Sequence, residues 1–162
     1  MSTFNAKRIT RSYTQRIMAT PDKVFPLLCP VREKDWADGW EYNLVYSDSG
    51  VAEPDCVFTT PHGDMPETIW IVTRHEPENL YVEFLNVTPG VRVVKAQIQL
   101  EDNRDGTTAA QITYSYTGLS DRGNALIDRI TDDHFKHEMI AWEHAMNHYL
   151  RTGTTLKTHA PH

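Results

Sequence analysis

Two tyrosines and one glutamate are candidates for acid–base chemistry in this 162-residue chain. Tyr114 and Tyr116 share one side of a predicted strand, and Glu138 lies four residues before Trp142 on a predicted helix. A buried tyrosine needs a hydrogen-bond partner, and the Glu138 carboxylate has oxygen atoms that accept such a bond. A desolvated carboxyl holds its proton more tightly and can act as a general acid or base, the role for which Glu138 is the candidate. The alternative is that Glu138 is an exposed helix residue and that the tyrosines only pack in the core.

Histidines on the same predicted helix raise the question of a metal site. At 100° per residue these histidines form a stripe on a different side of the helix from Trp142 and Met146, so we expect the stripe to face solvent. It contains no acidic third ligand at a matching position, and an HExxH motif is broken by Ala141. We therefore predict no metal site and no cofactor, although the i, i+4 pair in this stripe suits added nickel or zinc. The stripe consists of His134, His137, His144 and His148.

Other catalytic motifs and several partner classes are not indicated. The chain contains no GxGxxG, P-loop or GxSxG motif. Its net charge is −6 and it has no Lys/Arg cluster, so we predict no nucleic-acid partner. It has no apolar run of about 18 residues, so we predict no membrane span. The sequence leaves the oligomeric state open.

The N-terminus and the cysteines favour a cytoplasmic protein. Residues 1–10 lack the apolar segment of a secretory signal. Cys29 and Cys56 form neither a CxxC motif nor a disulfide framework, which suits a reducing compartment. We predict that both are small core residues, with a reactive thiol as the alternative.

Turn residues and alternation predict the elements that must position these side chains. A strand at 8–19 precedes a short helix at 21–28, which starts at Thr20 and Pro21, and a second turn or helix at 31–36. Six further strands are predicted at 40–47, 56–60, 67–75, 79–87, 91–102 and 107–117. Their connections are too short for parallel crossovers, so consecutive strands should be antiparallel.

Alternation also predicts which face of the sheet is covered. Trp70 shares a side with Thr68 and Val72, and three later strands each have one apolar side. One apolar and one polar face indicate a sheet covered on one side. The inward sets are Leu80, Val82 and Phe84; Val94, Ala96, Ile98 and Leu100; and Ala110, Ile112, Tyr114 and Tyr116.

The predicted cover is a C-terminal helix. It starts at Ser120 or Asp121, runs to about residue 151 and ends at Gly153. An early apolar stripe is rotated from the later one, which indicates a bend near 131–133 or a first half that packs elsewhere. We predict one domain over 1–153 and a loose tail over 154–162. The later stripe is Phe135, Met139, Trp142, Met146, Tyr149 and Leu150.

This order of elements resembles the START-like superfamily, also called SRPBCC, which holds polyketide cyclases, lipid carriers, plant hormone receptors and stress-response co-chaperones. The segments that carry the resemblance are IMATPDKVF at 17–25, PVREKDW at 30–36 with Gly39 and Trp40, and TYSYTGLS at 113–120, which leads into the helix with Trp142 and Glu143. The resemblance covers about residues 8–153. It implies an α+β helix-grip fold, in which a curved antiparallel sheet of about seven strands surrounds the long C-terminal helix, with two short helices between strands 1 and 2.

In proteins of this resemblance, the gap between sheet and helix is a deep apolar cavity that binds a small molecule by burial. The predicted faces supply most of its lining. The short-helix region, which borders the cavity mouth in such proteins, adds Glu33 and Trp36, although Glu33 can equally be a surface charge and the tryptophan core. The predicted ligand-binding residues are Glu33, Trp36, Trp70, Phe84, Tyr114, Tyr116, Glu138 and Trp142.

Three functions remain open at this point. The preferred one is binding or carriage of a small hydrophobic or aromatic molecule. The second is a polyketide cyclase- or dehydratase-like enzyme that uses Tyr114, Tyr116 and Glu138, and the third is a protein-interaction module. A dry aliphatic lining favours the first, a buried carboxylate facing a tyrosine favours the second, and a filled cavity with a large exposed apolar patch favours the third.

Overall fold

Seven strands form one sheet in the computed structural model, which describes residues 3–157. They are β1 (Arg8–Ile17), β2 (Asn43–Tyr46), β3 (Val57–His62), β4 (Met65–Glu76), β5 (Tyr81–Thr88), β6 (Arg92–Asp102) and β7 (Thr108–Gly118). Their order in the sheet is β1-β7-β6-β5-β4-β3-β2, and each neighbouring pair is antiparallel. The predicted antiparallel sheet is confirmed, and β1 completes one edge beside β7.

Helices flank this sheet at two places in the chain. Between β1 and β2 lie α1 (Pro21–Val24), a 3₁₀ turn (Phe25–Leu27) and α2 (Pro30–Trp36), and after β7 come α3 (Asp121–Asp128) and α4 (Asp132–Thr152). The predicted helix at 21–28 remains α-helical only to Val24. Pro26 has no N–H to donate to the carbonyl of Asp22, so the next turn tightens.

The predicted C-terminal helix is two helices, because the sequence provides two N-caps. The Ser120 hydroxyl accepts a bond from the Gly123 N–H at 3.1 Å and starts α3. The Thr131 hydroxyl accepts one from the His134 N–H at 3.1 Å and starts α4. The predicted bend near 131–133 is therefore a break. Gly153, with φ of 72°, ends α4 as expected.

Hydrogen bonds from β1 and the residue after it fix the position of α4 on the concave face of the sheet. The Gln15 side chain is 2 % exposed, and its Nε2 donates to the carbonyl oxygen of Met139 at 2.9 Å. The Met18 N–H donates to Oδ1 of Asn147 at 2.8 Å. These bonds hold α4 beside the β1 edge, so the concave surface of β3, β4 and β5 is left for other groups to cover.

The inward faces largely agree with the prediction. Every predicted inward side chain of β6 and most of those of β7 are buried. Leu80 differs, because it precedes β5 in the left-handed conformation, with φ of 55°, instead of standing on an inward strand face. Cys29 and Cys56 are both buried, as predicted for small core residues.

Strand ends and the tail show the remaining differences. The strand predicted at 40–47 contains only Asn43–Tyr46, because Trp40 is held against the helices, where its Nε1 donates to the carbonyl of Pro30 at 2.8 Å. Of the tail predicted at 154–162, only residues 154–157 lie within the described part, and there the Thr155 hydroxyl donates to the carbonyl of Asp35 at 2.6 Å. Within residues 3–157, no helix is long and apolar enough to span a membrane.

Candidate ligand-binding cavity

A cavity of about 740 Å³ lies between the concave face of β3–β7 and the helices α2 and α4. This is the part of the sheet that α4 does not cover. All of the residues predicted from the sequence for a ligand site line this one space, and their part in binding remains a prediction. They are Glu33, Trp36, Trp70, Phe84, Tyr114, Tyr116, Glu138 and Trp142.

Aromatic rings from the strands form one wall of the cavity. Phe58 and Trp70 stack with centroids 5.3 Å apart and planes 11° apart. Phe84 meets the edge of Trp70 at 6.1 Å, and Trp40 meets it from the helix side at 6.4 Å. The Trp70 Nε1 donates to the Thr60 hydroxyl at 2.9 Å. Because this indole nitrogen already has a partner, it needs no hydrogen bond from a ligand.

Two further tryptophans join α2 to α4. Trp36 and Trp142 stack with centroids 6.0 Å apart, so the two helices share an aromatic contact at the cavity. Trp36 Nε1 donates to the carbonyl of Leu27 at 3.0 Å. The buried Nε1 of Trp142 has no hydrogen-bond partner among residues 3–157. With Trp40 and Trp70, all four tryptophans of the chain line the cavity.

Glu33 is a carboxyl group of the cavity lining whose pKa is strongly shifted by burial. It lies one turn before Trp36 on α2, and this spacing places both side chains on the cavity side of the helix. Part of the side chain still faces the cavity space, but its carboxyl makes no hydrogen bond or ion pair with any described residue. Burial raises the pKa of Glu33 to about 8, so the group is mainly protonated at neutral pH.

The two tyrosines continue from Glu33 along β7. Their rings are 5.9 Å apart, and Tyr114 also meets Phe135 of α4 at 5.5 Å. Burial raises the pKa of both phenols, that of Tyr116 to about 12. The charges of Tyr116, Glu33 and Glu138 add to the rise in the pKa of Tyr114. Neither hydroxyl has a hydrogen-bond partner in the described part of the chain.

Glu138 occupies a different position from the buried one considered for it. Its side chain is 63 % exposed at the rim of the cavity, where Oε1 lies 3.6 Å from Nε2 of His134. The inward face of α4 is taken by Phe135, Met139 and Trp142, which leaves Glu138 at the edge. The exposed alternative is therefore the observed one, and Glu33 holds the desolvated position.

The histidine stripe lies mainly on the outer side of α4. His134, His137 and His144 are exposed, and His148 is half-buried and lies 3.4 Å from the Arg151 guanidinium. Within residues 3–157, no group of three His, Cys, Asp or Glu side chains has the arrangement of a metal site.

Arg92 lines the cavity and was missed by the sequence prediction. It is the first residue of β6, on the same side of the strand as Val94 and Ala96. Its guanidinium lies over the ring of Tyr116, with its carbon 5.7 Å from the ring centroid. The signal was present, because the inward alternation of β6 extends back by one step to this charged residue.

A small polar network lies beside Arg92. The hydroxyls of Thr68 and Thr88 are 2.8 Å apart, and both approach Nδ1 of His62, at 3.2 Å and 3.3 Å. Burial and the nearby charges of Arg92 and Arg122 lower the pKa of His62, which favours the neutral ring. The cavity thus has a carboxyl at one end, two phenols between, and a guanidinium beside a neutral imidazole at the other.

Comparison with known proteins supports the fold but does not identify the function of the cavity. No family model matches the chain, and no curated protein matches it in sequence. Among solved structures, norcoclaurine synthase from Thalictrum flavum is 10 % identical, with a TM-score of 0.66 over 91 % of this chain and 88 % of that one. The hypothetical protein jhp0584 from Helicobacter pylori is 14 % identical, with a TM-score of 0.70 over 92 % and 98 %.

A third similar structure is DynU16, from the dynemicin biosynthetic locus, at 17 % identity and a TM-score of 0.61. The match covers 90 % of this chain but only 48 % of DynU16, so the chain spans about half the length of that protein. The chain has the helix-grip fold, as the resemblance implied. The same fold carries unrelated functions, so the function must be argued from the cavity.

The burial of Glu33 predicts a specific pH dependence of stability. Its folded-state pKa of about 8 lies above the ordinary value of 4.5, so the folded state binds the proton more tightly than the unfolded chain. Stability relative to a Glu33→Gln variant should fall by about 1.4 kcal/mol per pH unit between about pH 5 and pH 8, and level off above. Urea unfolding of both proteins from pH 5 to 9 measures this difference.

Glu138→Gln is the matched control, because it removes an exposed carboxyl from the rim of the same cavity. Its stability should follow that of the unmodified protein across the pH range. Parallel curves for the unmodified protein and Glu33→Gln would show that Glu33 is solvated.

Proposed function

We propose that the cavity binds a small aromatic molecule. The observation that carries this proposal is that all four tryptophans line one space of about 740 Å³ together with further aromatic rings of β3, β5, β7 and α4. Ligand sites usually have volumes of about 300–1,000 Å³ and a mainly apolar lining with a few polar groups. Ring contacts contribute about 0.5–1.5 kcal/mol each beyond simple burial, so a flat aromatic ligand gains most from these walls.

The similar structures support the same class of ligand. One structure of norcoclaurine synthase, 11 % identical to this chain with a TM-score of 0.66, holds dopamine and hydroxybenzaldehyde. Both are small aromatic molecules. The structure offers less support for an interaction module, because the cavity between the sheet and the helices is open. The exposed large apolar side chains include the adjacent Val45 and Tyr46 of β2, but others, such as Phe4, Met18 and Leu119, lie far from these two in the sequence.

The proposal is tested with N-phenyl-1-naphthylamine, an uncharged dye that fluoresces in apolar surroundings. One molecule should bind per chain and quench the tryptophan emission. Val94→Phe fills the floor of the cavity and should weaken binding at least tenfold. Val93→Phe makes the same change on the opposite face of β6 and should stay within twofold of the unmodified protein. Equal affinities for both variants, or no binding to the unmodified protein, would contradict the proposal.

A second candidate function, acid–base catalysis, is favoured by Glu33. A largely desolvated carboxyl that lines the same cavity as two tyrosines suits a cyclase- or dehydratase-like enzyme. Near neutral pH, Glu33 can donate a proton, and above its pKa it can accept one. Tyr114 keeps its proton in either case and can only donate a hydrogen bond. Glu33 therefore takes the acid–base role for which the sequence suggested Glu138.

The probe for this candidate is 5-nitrobenzisoxazole, a flat aromatic ring that opens when a base removes its C3 proton and its N–O bond breaks. After subtraction of the buffer rate, formation of the phenolate product should rise with pH around an inflection near 8, the pKa of Glu33. Glu33→Gln should lose this rate, and Glu138→Gln should keep it. A rate equal to that of buffer, or unchanged in Glu33→Gln, would count against catalysis by Glu33.

A further inference from the structure

We propose that the aromatic ligand carries a carboxylate and that Arg92 binds this group at the β6 end of the cavity. The inference rests on the proposed function, because it names the chemical class of the molecule that the aromatic walls hold. Glu33 and Arg92 then have different roles. Glu33 contacts neutral groups of the ligand, and the guanidinium of Arg92 binds the ligand's carboxylate.

The bonding of Arg92 differs from that of other arginines in the chain. Its Nε is buried and has no hydrogen-bond partner, and its guanidinium makes no ion pair with any residue in 3–157. By contrast, Nε of Arg11 donates to the carbonyl of Ile130 at 3.0 Å, and Nε of Arg74 donates to Glu76 at 2.6 Å. Arg92 therefore has free donors at the cavity wall.

Arg92 is partly buried and its Nε has no partner in residues 3–157, which is destabilising, and an anionic ligand at the guanidinium can offset that cost. Burial lowers the pKa of Arg92, and the nearby phenol of Tyr116 partly opposes this shift. A guanidinium nevertheless remains charged at neutral pH. A carboxylate matches its planar fork with two parallel hydrogen bonds, the strongest arrangement available to this side chain.

The surroundings of Arg92 favour an anionic group of the ligand at this position over a cationic or an apolar group. Neutral His62, Thr68 and Asn86 line the same end of the cavity and add polar atoms. Arg129 lines the mouth, and Arg122 lies close enough to lower the pKa of His62. These three arginines favour the approach of an anion to this part of the cavity, although the lining also includes the acidic Asp38 and Glu138.

Arg92 and the aromatic walls belong to one continuous space, so one molecule can contact both. Arg92 lies over Tyr116, the Tyr116 ring lies 5.9 Å from that of Tyr114, and both tyrosines line the same space as Glu33. A ring held among the tryptophans therefore extends its carboxylate toward β6. The ligand class is a small aromatic carboxylic acid in its ionised form.

The test compares two probes of the same shape, 2-naphthoate and uncharged 2-naphthamide, by isothermal titration calorimetry. The unmodified protein should bind 2-naphthoate at least tenfold more tightly. Arg92→Met should remove this preference, because it should weaken the affinity for 2-naphthoate at least tenfold. The affinity for 2-naphthamide should change less than threefold. Arg92→Lys keeps the charge without the fork and should give an intermediate preference. Arg151→Met, an exposed arginine on the last turn of α4, is the control and should bind both probes as the unmodified protein does.

Each outcome separates this inference from the proposed function. If neither probe binds the unmodified protein, the proposed function fails. If the unmodified protein binds both probes with equal affinity, and Arg92→Met either leaves both affinities unchanged or weakens both alike, the role of Arg92 is overturned. Binding of an aromatic molecule is then still supported.

A spectroscopic measurement does not depend on the stability of the Arg92→Met variant. The Nε–H resonance of Arg92, identified by its loss in Arg92→Lys, should shift with 2-naphthoate and stay in place with 2-naphthamide. An equal response to the two probes would contradict a carboxylate bound at Arg92.

Discussion

The attachment of α4 to the β1 edge is the constraint on which the cavity depends. Gln15 bonds to the carbonyl of Met139 from a fully buried position, and the backbone of β1 and the residues after it bonds to Glu143 and Asn147. A helix held on this side cannot also pack on β3, β4 and β5. The stacked Trp36 and Trp142 close the remaining side, so a space stays between them and the sheet.

The polar groups in this space are arranged in an order that gives the cavity a direction. Glu33 lies at one end as a mainly protonated carboxyl, and Arg92 lies at the other as a charged donor. Tyr114 and Tyr116 stand between them, and their hydroxyls have no hydrogen-bond partner among residues 3–157. Such groups would not stabilise a closed core of the same size, because buried polar atoms without hydrogen-bond partners are destabilising. Their presence is most simply explained by recognition of a partly polar molecule.

Alternation along the strands made most of this predictable. The inward series of β6 and β7 follow directly from side-chain direction in a strand, and they placed Tyr114 and Tyr116 correctly. The choice between Glu33 and Glu138 was not accessible in this way, because it depends on how α2 packs against α4. The alternation of β6 places Arg92 on the inward side of the strand. A charged residue at the first position of a strand is usually solvated, however, and only the curvature of the sheet brings Arg92 into the cavity.

A crystal structure of the protein with N-phenyl-1-naphthylamine tests the central claim most directly, namely that α4 leaves an aromatic-lined space able to hold a guest. The account predicts electron density for one dye molecule between Trp70 and Trp142, with ring atoms within about 4 Å of both indoles and α4 still bonded to Gln15. Aromatic side chains that close the space against one another, with the dye absent or bound on the outer face of the sheet, would contradict it.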